Sequence, residues 1–199
     1  MNRKTPTRAL SILVALFGIS AVQAADTHKS SLNLDQGIGS IEFHATGHPS
    51  AIKIVGKGSA PHGKLTVSAS DITGETSFDL ASLDTGIEMR NKHMKEKYLE
   101  VKKFPQAKLT ITQLVLAQPI QENQTLDKIP FTGKLSLHGV EHPVSGTAHI
   151  EKKGNQVSVI AQFNLQIKDY SITEPTFAGI SMADEVQIIV QSTAQLTPL

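Results

Sequence analysis

The sequence predicts an all-β fold, an antiparallel sheet closed into a barrel of about eight strands, with one short helical segment near residues 88–101. Three observations carry this reading. The first is strict alternation at Val157, Val159, Ala161, Phe163, Leu165 and Ile167, where successive odd positions are apolar and most even ones polar. Strand side chains alternate between faces, so this segment presents one apolar and one wet face. The second is recurrence of the pattern at Phe131–Gly133–Leu135–Leu137, at Val144–Gly146–Ala148–Ile150 and at Val186–Ile188–Val190. The third is the run of many such strands joined by turns and loops, a sheet for which barrel closure is the usual way to remove edges.

Taken in order, residues 38–46 alternate Ile41, Phe43 and Ala45 against Glu42 and His44, and Gly47-His48-Pro49 interrupts them. Residues 50–55 place Ile52 and Ile54 on one face, and the Gly/Pro-rich stretch 56–63 predicts a loop. Residues 64–70 alternate Leu65, Val67 and Ala69, Asp71-Ile72-Thr73-Gly74 predicts a turn, and residues 75–81 put Phe78 and Leu80 together. Residues 88–101 change period: Met89, His93, Met94, Tyr98 and Val101 stand at helical offsets, and Phe104-Pro105 closes the helix. Strands return at 108–116, 129–137, 143–152, 157–167 and 185–194. Polar residues 117–127 and the turns at 138–142 and 151–156 separate them.

The chain has 199 residues and a formal net charge of +1. Arg3, Lys4 and Arg8 precede the apolar, charge-free stretch 9–22, and Val22-Gln23-Ala24 offers small residues where a signal peptidase reads. That predicts a secretory signal over residues 1–24, cleaved after Ala24, and a single domain over 25–199. The stretch is shorter than the roughly 20 residues needed to span a bilayer, and nothing later would cross one. Cleavage lowers Lys+Arg from 19 to 16 against 18 Asp+Glu. No basic stripe with interleaved aromatics supports nucleic-acid binding. Cysteine is absent, which excludes thiol catalysis, Cys-based zinc and a lipid anchor on cysteine, and leaves an exported domain reliant on its core.

Several segments carry a family resemblance. Ser82-Leu83-Asp84-Thr85-Gly86 leads into Arg90-Asn91-Lys92-His93-Met94, with Asn91 and Met94 where the family has Asp and Leu. Tyr98-Leu99 is followed by Phe104-Pro105-Gln106-Ala107. The most specific match is the hairpin Gly133-Lys134-Leu135-Ser136-Leu137-His138-Gly139-Val140-Glu141-His142-Pro143-Val144. Phe163-Asn164-Leu165, Lys168-Asp169-Tyr170-Ser171-Ile172 and Asp184-Glu185-Val186-Gln187-Ile188 complete it. Together these resemble the YceI-like family of lipid- or polyisoprenoid-binding proteins. The front of the chain departs from the family pattern at Gly47-His48-Pro49 and in residues 57–63.

The resemblance implies a lipocalin-like barrel in the periplasm, or secreted, that holds an isoprenoid lipid such as a polyprenyl phosphate or quinone. It implies a binding protein with no enzymatic activity and no required cofactor, and leaves a homodimer open. Tail-binding residues would then be ordinary inward-facing apolar ones: Phe43, Ile54, Leu65, Val67, Phe131, Leu135, Phe163, Leu165 and Ile188. The alternation fits equally a packed barrel without a lipid, serving as a stress-response or interaction module. Arg90 and His93, three apart, share a helix face and are the head-group candidates. The structural alternative pairs Arg90 with Asp84 or Glu88 and uses His93 for capping or packing.

Asp84-Thr85-Gly86 matches the aspartic-protease tripeptide, but that chemistry needs a second carboxylate and no second copy occurs. His44/His48 and His138/His142 have four-residue spacing, yet they fall on strand ends or turns, so no metal site is expected.

Overall fold

The computed structural model describes residues 29–48, 50–177 and 179–199. The expected secretory signal over residues 1–24 and its expected cleavage point lie outside these. The elements are β1 (Ser30–Asn33), β2 (Ile38–His48), β3 (Lys53–Gly58), β4 (His62–Val67), β5 (Ile72–Asp79), α1 (Glu88–His93), β6 (Gln106–Leu114), β7 (Thr125–Leu137), β8 (Val140–Lys153), β9 (Gln156–Gln166), β10 (Thr176–Phe177) and β11 (Ile180–Pro198). Strands pair in the order β1-β4-β5-β6-β7-β8-β9-β11, and β11 pairs back with β1, so eight antiparallel strands close a barrel.

The long strand β11 explains how the ring is built. Its last residues, Leu196 to Pro198, pair with β1, whereas residues 181–193 pair with β2. β1 and β2 therefore follow one another along the same edge of β11. They are broken by a 3-10 turn at Leu34–Gln36, where the Asn33 side chain accepts from the Asp35 N–H at 3.1 Å. On their far side β1 pairs with β4 but β2 pairs with β3. The ring is thus closed by strands at the β1 end. At the β3 end it is joined to the chain after β5 by a single bridge, Lys57 with Asp84, through N–H···O bonds of 2.8 and 2.7 Å.

Residues 56–63, expected to be a loop, instead supply the end of β3 and the start of β4. Here glycine marks close ring contacts inside a sheet. A Cβ on Gly56 would sit 2.1 Å from the Phe43 ring, and one on Gly58 would sit 2.5 Å from that of Phe78. Aromatic rings laid over cross-strand glycines are a recurring device of curved sheets. The expected turn at 71–74 lies earlier, where Ser68 Oγ accepts from the Asp71 N–H at 3.0 Å, and Ile72 already belongs to β5. The helix is also shorter than expected: six α-helical residues are followed by a π-turn over Met94–Tyr98.

The β1 end is filled by fully buried Leu32, Ile150 and Val157. Near the α1 end the 3-10 turn Ile167–Tyr170 inserts Tyr170, 1% exposed, against the His142 ring at 5.4 Å. Burial pushes the Tyr170 phenol up to about 12. A phenol whose folded pKa is raised favours the native state below the unfolded value near 10, and loses that contribution as pH rises through the folded one. Urea unfolding between pH 9 and 12 is expected to show stability falling with pH by on the order of 2 kcal/mol. Tyr170→Phe should flatten that segment of the profile; an unchanged slope would show that other groups set it.

Candidate functional site

The α1 half of the barrel is hollow. A cavity of about 220 Å³ runs between β2, β7, β9 and β11, under the cover of α1 and the π-turn. Register explains its wall. One row across the sheet runs Leu114, Phe131, Gly146, Phe163, Ile188, Phe43, Gly56, each residue paired with the next. A neighbouring row runs Ile54, Ala45, Val186, Leu165. The large side chains of both rows point inward.

Of the nine expected tail contacts, Phe43, Ile54, Leu135, Phe163, Leu165 and Ile188 line this cavity. Leu65 lines a second, smaller space of about 50 Å³ toward the β1 end. Val67 and Phe131 are buried but line neither. Phe131 is held behind the wall, because its ring stands edge-on to Phe163 at 6.1 Å and lies over Gly146. Thr76, Leu109 and Val190 line both spaces and divide the bore.

Arg90 and His93 both reach the cavity from α1. His93 is exposed, which places the mouth at this end. Among the described residues that line the cavity, Arg90 is the one permanently charged side chain. It does not pair with Asp84 or Glu88. Its Nε donates to Thr85 Oγ1 at 2.8 Å and its Nη2 to the Thr85 carbonyl at 2.6 Å. Asn91 holds the other side of the turn: its Oδ1 accepts from the Thr85 N–H at 2.8 Å and the Thr85 hydroxyl at 2.6 Å. Its Nδ2 donates to Asp84 Oδ1 at 2.6 Å. The Gly86 N–H and this amide hold the Asp84 carboxyl below its ordinary range. Gly86 takes φ 75°, so Asp84-Thr85-Gly86 is a turn that aims Arg90 at the mouth.

The lining residues beyond the nine expected ones come partly from the strands, as Ile41, Leu109, Leu137 and Val186 do, and partly from the cover. Met94, Tyr98 and Leu99 descend from the π-turn, and Pro175, Thr176, Ile180 and Met182 flank β10 and β11. Tyr98 ties the two together: its hydroxyl donates to the Thr176 carbonyl at 3.2 Å and accepts from the Thr176 N–H at 3.0 Å. Met94 and Tyr98 were visible as helical offsets, whereas the broken alternation of residues 176–184 gave no such signal.

The histidine pairs serve other ends. His44 is paired in mid-strand, and a four-residue step along β2 puts His48 about 13 Å away. His138, at the turn after β7, is mostly buried. Its side chain is 11% exposed, with Nδ1 at 3.0 Å from the Tyr170 carbonyl and Nε2 at 2.8 Å from Glu100. Among the described residues no three His, Asp or Glu side chains converge as a metal site, and no helix is long and apolar enough to cross a membrane.

The architecture has solved counterparts. A polyisoprenoid binding domain from Saccharophagus degradans, implicated in plant cell wall breakdown, superposes with a TM-score of 0.62 at 15% identity, covering 87% of this chain and 99% of that one. Burkholderia cenocepacia BcnA gives a TM-score of 0.64 at 18% identity, covering 82% and 99%. In sequence, Protein YceI of Salmonella arizonae is 31% identical over 116 residues; the match covers 55% of each protein, so the chain spans about half the length of the curated relatives it matches. The model of the YceI-like domain matches residues 25–194. With that match running through the barrel, its cover and the cavity wall, the chain belongs to the YceI-like domain family.

Proposed function

We propose that this protein is a non-enzymatic periplasmic carrier of an isoprenoid lipid, a polyprenyl phosphate or a quinone, held tail-first in the barrel and needing no cofactor. The observation that carries the reading is the 220 Å³ apolar cavity with Arg90 and His93 at its mouth. An isoprenoid tail cannot cross water alone, and burial recovers about 25 cal/mol per Å² of apolar surface. Few specific contacts are then needed along the tail. A head group left at the mouth would meet Arg90, three of whose five N–H donors remain beyond the two used on Thr85. Family membership, the binding named for the Saccharophagus domain and the expected secretory signal support the same reading.

Native mass spectrometry and solvent extraction of protein purified from its own host test it. A co-purifying isoprenoid is expected; protein free of lipid, with no affinity for polyprenyl phosphate or quinone, would overturn it. Arg90 separates the two head groups. Arg90→Gln is expected to weaken a polyprenyl phosphate about tenfold or more, through loss of a charge-assisted contact, and to leave quinone affinity within a few-fold. Equal losses for both would mean that Arg90 serves the turn alone.

A further inference from the structure

The outer side of the mouth carries a second surface. α1 turns Arg90 and Met94 toward the cavity and leaves Met89 and Lys92 exposed on its other side. Met89 is 56% exposed and Ile87, at the helix start, 45%. Residues 87–104 carry Arg90, Lys92, Lys95, Lys97, Lys102 and Lys103 against Glu88, Glu96 and Glu100. This local positive excess sits on a chain whose net charge is only +1. None of these six cations forms an ion pair with a described residue, whereas Lys57, Lys108, Lys134, Lys152, Lys153 and Lys168 do. Glu100 is turned onto His138, while Lys97 and Lys103 lie over the Tyr98 and Phe104 rings at 5.1 and 4.8 Å.

We infer that this face docks the protein on an anionic lipid bilayer, with Ile87 and Met89 entering the head-group boundary and the lysines meeting lipid phosphates. Exposed apolar side chains beside cations that form no ion pair are what an anionic interface attracts, each lysine adding a modest, salt-screened increment. Continuity with the mouth selects a bilayer over a soluble partner. Arg90 and His93 share the six-residue helix with Met89 and Lys92, so docking brings the cavity entrance to the surface from which a lipid would enter. The inference adds to the carrier reading a place of loading.

Flotation of the protein with preformed vesicles tests it. Partition is expected onto vesicles of phosphatidylcholine mixed with phosphatidylglycerol and not onto phosphatidylcholine alone. It should fall as salt shortens the Debye length from about 30 Å at 0.01 M to about 8 Å at 0.15 M. Lys92→Gln with Lys97→Gln should reduce it by on the order of tenfold, and Met89→Gln several-fold. Lys64→Gln with Lys128→Gln, exposed cations elsewhere, should float like the parent. Equal partition onto neutral and anionic vesicles, a Lys92/Lys97 variant that floats unchanged, or capture of a soluble protein by this face without vesicle binding would each overturn the inference. Flotation reads docking and solvent extraction reads cargo, so either can fail alone.

Discussion

Leu135→Trp is expected to yield a folded barrel that has lost its cargo. Leu135 is 5% exposed, sits on β7 opposite Leu109, and lines the 220 Å³ space. The extra ring volume therefore has somewhere to go, and the melting temperature should stay within a few degrees of the parent. The same substitution in a filled interior forces off-rotamer neighbours and costs about 1–3 kcal/mol. Phe131→Trp supplies that comparison inside one molecule, because Phe131 lies on the same inward row as Phe163 but lines no cavity. Urea denaturation should show Phe131→Trp destabilised by about 1–3 kcal/mol and Leu135→Trp little changed, while solvent extraction finds isoprenoid with the first and none with the second. If Leu135→Trp were as destabilised as Phe131→Trp, or kept its lipid, the bore would not be where the tail lies.

The contrast between these two residues shows what one-dimensional pattern contains. Alternation states which side chains face inward, and it did so for every member of the row from Phe131 to Phe43. It does not state whether the inward space is filled, because a packed and a hollow barrel have the same period. That depends on neighbours from other strands, such as the Gly146 that leaves room for the Phe131 ring beside Phe163. The same limit misplaced residues 56–63. Glycine read along the chain signals a turn, but Gly56 and Gly58 are small because Phe43 and Phe78 press on them from elsewhere.

The cover was legible as a helix and not as a lid. A π-turn inserts one extra residue into the helical path and rotates the residues beyond it by about 100°. Tyr98, at the end of this turn, reaches the Thr176 N–H at 3.0 Å and ties the cover to β10. The identities of Arg90 and His93 were visible, but the partner that orients Arg90 was not. A guanidinium that follows Asp84 by six residues and Glu88 by two invites an ion pair in sequence, and the folded turn offers it the Thr85 hydroxyl and carbonyl instead.

Leu109→Ala is expected to lengthen the bore. Leu109 is 8% exposed on β6 and, with Thr76 and Val190, forms the partition between the space of about 220 Å³ and the one of about 50 Å³. Truncating a buried leucine removes transfer energy and leaves a void, together costing about 2–5 kcal/mol. Here the void joins two existing spaces, so neighbours have little tendency to close over it and the loss should fall in the upper part of that range. A tail that fills the joined bore recovers part of the loss by burial. The variant should therefore shift its preference from a short polyprenol such as farnesol toward a longer one such as solanesol, and the longer lipid should raise its melting temperature more than it raises the parent's. Competition between the two lipids, read by native mass spectrometry beside urea denaturation, decides it. A destabilised variant with the parent's length preference would mean that Leu109 is core and that tails end short of it.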